Sequence, residues 1–351
     1  MRWRLLSNST QLQTPLTAAG QVHSERTHLY LEIESGGLFG YGEVSPQPRL
    51  LNGDPGLAEV LEEWHHHLGP TFSQIVAREG VLPAWFRAPK LAASRPASAT
   101  ASTMLEMALL DLQLKVESRS LTDFWNQRFD TPVQVVASSF NQDLWPTPQK
   151  SERLRVKVGA DSLSESSLLQ LGKQNCSVIL DFNCAAASID DVVKLYGQAT
   201  EATMVHAIEQ PFAPGNLAEQ TLLSRLLDCQ LSLDEGVRSL TDVTLIARHS
   251  AASLLCIKPA RVGGYSNARA LITKAHELGL ATYIGGFFES PLGRRVNSTF
   301  AKHLTNEPSD IGAVTVAEKD ADLWVPEEVG LGLRPSAELL NGFVEVSRST
   351  I

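Results

Sequence analysis

The chain has few cysteines and none placed as a pair. Four occur in 351 residues, Cys176, Cys184, Cys229 and Cys256, and no two form a Cys-x-x-Cys unit. The common zinc and redox motifs are therefore missing, and reduced, buried thiols are expected. No apolar run reaches the roughly 18–20 residues that span a bilayer, so membrane insertion is not expected. The start, MRWRLLSNSTQLQTPL, lacks the apolar core of a secretory signal, which points to a cytoplasmic protein. There is no basic block either. Acidic residues outnumber basic ones by 39 to 30, for a net charge of −9. That balance argues against nucleic acid and anionic membranes as partners. A glycine-rich phosphate loop after a first strand is also absent, which weighs against an open dinucleotide-binding sheet. The run His65-His66-His67 lies in EVLEEWHHHLG. It reads as the solvated side of an amphipathic helix, because zinc needs separated ligands on one face plus partners elsewhere.

What is present divides in two. RTHLYLEIES and LFGYGEVSP alternate like the strands of a hairpin, with Gly36-Gly37 at the turn. Residues 56–70 read as a helix and residues 88–102, rich in Ala, Ser and Pro, as a loop. A second helix follows, with Leu105, Ala108, Leu109, Leu112 and Val116 at helical spacing and Thr103 with Glu106 as a capping box. Residues 1–125 thus read as an α+β unit. From about residue 133 short apolar runs recur: VQVVA, LRVKV, SVILDF, MVHAIE, LSLD, LLCIKP, ATYIGG and IGAVTV. Most are separated by helix-compatible stretches. Eight such β/α repeats close a TIM-type barrel, expected over residues 126–320. The tail, 321–351, ends in a strand-like FVEVS that is expected to pack back on the first unit.

Charged residues end five successive runs: Lys157, Asp181, Glu209, Asp234 and Lys258. In a barrel all strand C-termini share one face, so these five would converge. Three carboxylates around one point repel unless a cation joins them. An oxygen-only set favours Mg²⁺, with Mn²⁺ as the substitute, and leaves coordination positions for a small-molecule carboxylate substrate. A carboxylate bound there can lose its α-proton, the charge being held by the metal. One ammonium about 4 Å from the new charge contributes roughly 4 kcal/mol at an effective dielectric near 20. The dication and the second lysine are expected to favour a neutral amine, which a base requires.

At these residues the sequence resembles the enolase superfamily, muconate-lactonizing subgroup, a well-known setting for lysine bases beside Mg²⁺. The match runs through RVKVG, LDFN, IEQP, LDEG and IKPARVGG, and through GYGEVSP, MALLDLQLK and FFESPLG outside them. It implies a modified, enolase-like (β/α) barrel with an N-terminal α+β capping domain. Within the subgroup the resemblance is strongest to the o-succinylbenzoate synthases, through the short first unit, the DFN and GGFFESPLG segments and the lack of an Asp-x-Asp motif at the eighth strand. Those enzymes dehydrate a hydroxycyclohexadiene carboxylate with a succinyl arm (SHCHC) in menaquinone or phylloquinone synthesis. The resemblance implies Lys157 as the base, Lys258 as a cation beside the developing charge, and Asp181, Glu209 and Asp234 as Mg²⁺ ligands. It implies that Asn183 supports the metal site, that Gly285, Gly286 and Phe287 contact the succinyl arm, and that the loop around Thr17 and Gly20 closes over the substrate. Arg155 departs from the pattern, standing where the family has a lysine, and it retains only an electrostatic role. An N-acylamino acid racemase or epimerase would use the same five residues, with one lysine on each face.

Overall fold

The computed structural model describes residues 1–18, 21–79, 85–91, 95–125, 137–139, 153–158, 164–173, 176–311 and 322–351. The chain begins with a long antiparallel hairpin, β1 (Arg2–Ala18) and β2 (Gln21–Ser35), followed by β3 (Leu38–Val44). Gly36 and Gly37 turn β2 into β3 with φ of 59° and 81°, a path that side-chain-bearing residues resist. The expected helix at 56–70 is longer. It runs as α1 (Leu57–Glu63), a π-helical turn (Trp64–Leu68) and α2 (Gly69–Glu79). His65, His66 and His67 lie exposed on that turn while Trp64 and Leu68 are buried.

The expected loop at 88–102 is corrected in part: α3 (Pro96–Val116) begins inside it. Pro96 sits at the first helical position, where its fixed φ is already helical and its missing N–H costs nothing. The small residues behind it serve close packing. Thr100, Ser102 and Thr103 donate hydroxyl hydrogen bonds to the carbonyls of Ala260, Gly263 and Pro259. Thr103 and Glu106 are consequently not a capping box. Thr103 lies within the helix, well past its first turn, and Glu106 accepts from the N–H groups of Tyr265 and Ser266 in another helix. The other side of α3 meets β3, where a Cβ at Gly42 would collide with the Met104 carbonyl oxygen. α3 is buried all round, with Leu105 and Leu109 in the core of the first unit and Met107, Leu110 and Leu114 in the barrel core.

After α4 (Leu121–Trp125) come β4 (Ala137–Ser139), β5 (Leu154–Lys157), α5 (Glu165–Lys173), β6 (Val178–Asp181), α6 (Ile189–Ala202), β7 (Val205–Glu209) and α7 (Leu217–Leu226). Then follow β8 (Gln230–Leu233), α8 (Leu240–His249), β9 (Leu254–Ile257), α9 (Pro259–Val262), α10 (Tyr265–Glu277), β10 (Ala281–Ile284) and α11 (Pro291–Leu304). β4 to β10 form one parallel sheet in sequence order. Beyond it Gly285 bridges Asp310, again in parallel. Residues 133–136 of the first expected run and 312–316 of the eighth lie outside the described residues. The architecture is a modified TIM-type barrel carrying an α+β cap. The tail supplies β11 (Trp324–Pro326), β12 (Leu333–Pro335), α12 (Ala337–Gly342) and β13 (Val344–Thr350). β13 pairs antiparallel with β1, opposite Arg2 to Ser7, and Phe343 stacks on Tyr30 at 4.7 Å. No helix among the described residues is long and apolar enough to cross a membrane.

Candidate active site

Each of the five charged residues stands where a parallel strand runs out. Lys157, Asp181 and Glu209 are the last residues of β5, β6 and β7, and Asp234 and Lys258 follow β8 and β9 directly. Strand register aligns Lys157 with Asp181 and Asp181 with Glu209. The alternation of a strand points these side chains inward, over a floor of Ile179, Ala207, Leu254, Cys256 and Tyr283. The five are brought together.

The contacts form a chain of alternating charge. Lys157 donates to the Asp181 carboxylate. Nη1 of Arg155 lies 3.6 Å from Asp181 Oδ2 and 2.5 Å from Glu209 Oε1, so one nitrogen joins two carboxylates. Glu209 Oε2 accepts from the Tyr283 hydroxyl at 2.7 Å. Donor atoms of Glu209, Asp234 and Cys256 lie within 4.8 Å of one another. Asp234 receives Lys258 at 3.0 Å on Oδ2 and Arg261 at 2.5 Å on Oδ1. Lys157 and Lys258 therefore flank the carboxylates from opposite ends of the row.

Loops hold this row from behind. Gln210, with φ of 36°, accepts the N–H groups of Asp234 and Gly236 on its side-chain oxygen, which shapes the exit of β8. The Asn183 N–H donates to Asp181 Oδ1 at 3.0 Å, and its side-chain amide donates to Glu235 at 3.3 Å. Gly285 faces Lys258: a Cβ there would approach Lys258 Cε to 2.8 Å and Cys256 Sγ to 2.5 Å. Gly286 and Phe287 line the pocket, and the Phe287 ring lies 4.8 Å from the Lys258 ammonium, a cation–π contact. Thr17 lies on β1 opposite Val22, near the tip of the first hairpin, and Gly20 is outside the described residues.

Electrostatics follow from this crowding. Burial, together with Asp181 and Asp234 and against the pull of Arg155, pushes the Glu209 carboxyl up to about 8. Burial acts the same way on Asp234, yet Arg261 and Lys258 outweigh it and hold that carboxyl far below the ordinary range. For Lys258, burial opposes the charge and Asp234 more than restores it, so its pKa rises. Buried carboxylates that cannot all ionise at ease fit a divalent cation; the atoms gathered within 4.8 Å are those of Glu209, Asp234 and Cys256, and Asp181 joins Glu209 through Arg155. Asp181, Glu209 and Asp234 supply the hard oxygen donors that Mg²⁺ or Mn²⁺ prefers.

Several neighbours escape notice in the sequence. Arg261 is visible in IKPARVGG, but nothing there assigns it a role. Leu51, Asn52 and Asp54 also line the pocket. Asp310 lies 3.1 Å from Arg155 Nε. Nothing local in sequence marks Asn52, Asp54 or Asp310, since the partners they meet in the site lie in distant segments of the chain.

Comparison with known proteins adds to this geometry. Residues 168–339 match the family described as enolase C-terminal domain-like. The chain is 28% identical over 360 residues to a chloromuconate cycloisomerase of Cupriavidus pinatubonensis, covering 95% of this chain and 94% of the other. It is 29% identical over 252 residues to an o-succinylbenzoate synthase of Enterococcus faecalis, covering 65% and 67%. It is 25% identical over 344 residues to an N-succinylamino acid racemase of Thermus thermophilus, covering 89% and 88%. A Listeria innocua protein described as a member of the enolase superfamily shares the fold, with a TM-score of 0.81, 21% identity, and 99% and 97% coverage.

Proposed function

We propose that this chain, whose residues 168–339 match the enolase C-terminal domain-like family, is a member of the enolase superfamily and an o-succinylbenzoate synthase, a carbon–oxygen lyase that dehydrates SHCHC. The observation that carries the reading is the placement of Lys157 and Lys258 at opposite ends of one buried row of carboxylates. Relatives named o-succinylbenzoate synthase support it.

Lys157 removes the α-proton of the substrate carboxylate and then gives that proton to the departing hydroxyl on the same face. Water leaves, and the ring becomes aromatic. Lys258, held 3.0 Å from Asp234, lies beside the charge that builds on the substrate. Asp181, Glu209 and Asp234 would hold Mg²⁺, which when bound neutralises charge on the substrate carboxylate. Arg155 keeps Asp181 and Glu209 side by side. Asn183 fixes the Asp181 carboxylate through its backbone N–H. Gly286 and Phe287 form the wall on which the succinyl arm would lie, and the first hairpin near Thr17 and Gly20 would cover it.

A second reading has its own support. A lysine at each end of the row is what a racemase needs, since a proton must leave one face and return on the other, and relatives named N-succinylamino acid racemase exist. Purified protein offered SHCHC and N-succinyl amino acids in parallel decides the matter. Aromatic product from SHCHC is expected. Racemisation with no dehydration would replace the first reading by the second.

A further inference from the structure

We infer that Asp54, in the turn 51–54 of the capping unit, is a positioning residue for Lys258 and so governs one face of the catalytic centre. The inference rests on the reading that Lys157 and Lys258 face the substrate from opposite ends of the carboxylate row, and it adds a residue from the other unit of the fold.

The turn is built into the site. Asn52 has φ of 48° and Gly53 has φ of 81°, and a Cβ at Gly53 would press on Arg238 Nη2 at 3.0 Å. Arg238 Nη2 donates to the Asn52 carbonyl and to Asp54 Oδ1, both at 3.1 Å. The Asn52 amide donates to Glu235 Oε1 at 3.2 Å and to the Asn183 carbonyl at 3.1 Å. The turn thus grips the segments that leave both β6 and β8.

From there a relay runs inward. Asp54 accepts Arg261 Nε at 2.9 Å on one oxygen and Nη2 at 2.7 Å on the other, a two-pronged pairing. The remaining nitrogen, Nη1, donates to the Asp234 carbonyl at 2.9 Å and to Oδ1 at 2.5 Å. Asp234 Oδ2 is thereby left to Lys258 at 3.0 Å. All of Asp54, Arg261 and Asp234 are at most 4% exposed. The planar guanidinium is fixed by its fork with Asp54, and a single nitrogen reaches Asp234. Without that fork, the buried guanidinium is free to turn its other edge onto Asp234 and compete for the oxygen that Lys258 now holds. Lys157, paired with Asp181 at the end of β6, is outside the relay.

The test is α-proton exchange in D₂O with both enantiomers of an N-succinyl amino acid, using Mg²⁺-loaded protein. Lys157→Ala and Lys258→Ala assign each enantiomer to its lysine. Asp54→Asn is expected to slow exchange at the Lys258 face by about 100-fold, the scale of a 1 Å misplacement, while the Lys157 face changes less than about threefold. Arg261→Gln alone and with Asp54→Asn is expected to be non-additive, because the two act through one contact. Equal loss at both faces, or loss at neither, would overturn the inference. The position of Lys258 is also read without substrate, from ¹³Cε-lysine NMR assigned by the two alanine variants. Asp54→Asn should shift the Lys258 signal and leave that of Lys157; unmoved signals count against the relay. Parent protein that exchanges no proton on either enantiomer would instead contradict the racemase reading and leave the dehydration to the SHCHC assay, with the NMR result deciding the relay.

Discussion

At position 155 a guanidinium stands where the family resemblance implies an ammonium, and the structure gives it a task. One nitrogen spans Asp181 and Glu209 while Nε faces Asp310, three carboxylates that a compact ammonium could not meet in a fixed plane. Arg155→Met removes that compensation and leaves buried charge. It should lower stability by about 3–5 kcal/mol in urea unfolding of metal-free protein. Arg155→Lys should lose less. A change below ~1 kcal/mol for Met would mean that the acids are neutral or reoriented. The row of acids and lysines is legible in the sequence because each ends a strand-like run, and a barrel converts that repetition into proximity. Asp54 is not legible. Its partner Arg261 lies 207 positions away, and a turn sequence carries no sign of what it will touch.

Elements are fastened to one another by buried carboxylates that cap foreign helices. Glu43 of β3 accepts from the N–H groups of Ser290 and Gly293 at the start of α11. Glu106 of α3 does the same for α10, whose own N-cap is Gly264 and has no side chain to offer. The motif glycine at 264 follows from this, since a Cβ there would collide with the Glu106 carboxylate. Burial, against the pull of those N–H donors, raises the Glu106 carboxyl to about 7 from an unfolded value of 4.5. Below pH ~4.5 both states hold the proton and no penalty arises. As pH rises from there to 7 only the folded state still binds it, so stability falls by roughly 3 kcal/mol and stays lower above. Glu106→Gln should remove this slope. The difference between parent and variant in unfolding free energy, followed from pH 4 to 8, should change by about that amount, and a flat difference would refute it. The N-terminal part of α3 reads as loop for a related reason. Its Ala, Ser and Thr residues look like a linker, but they are small in order to approach α9, which only tertiary contact reveals.

Across the whole molecule, the cap and the barrel meet around the carboxylate row. Gln47, Leu51, Asn52 and Asp54 from the first unit face residues of the barrel across one pocket. The barrel order is readable from spacing alone. The bridging of the two units is not, because it depends on side chains whose partners lie in the other unit. A cation that binds only the folded row must stabilise the fold by mass action, about 2.7 kcal/mol at a hundred times its Kd. Mg²⁺ should therefore raise the thermal midpoint of EDTA-treated protein, and Asp181→Asn or Asp234→Asn should blunt that rise in calorimetry. An unchanged midpoint in the parent would speak against the metal site.

The central claim is that a divalent ion in this acidic row and the amine of Lys157 act together on one substrate. Its most direct measurement is the formation of aromatic product from SHCHC by exhaustively chelated protein, before and after Mg²⁺ is returned, in parent and Lys157→Ala. Product that appears only with metal and only with the lysine is expected. Turnover that persists through chelation, or survives in Lys157→Ala at near-parent rate, would contradict it.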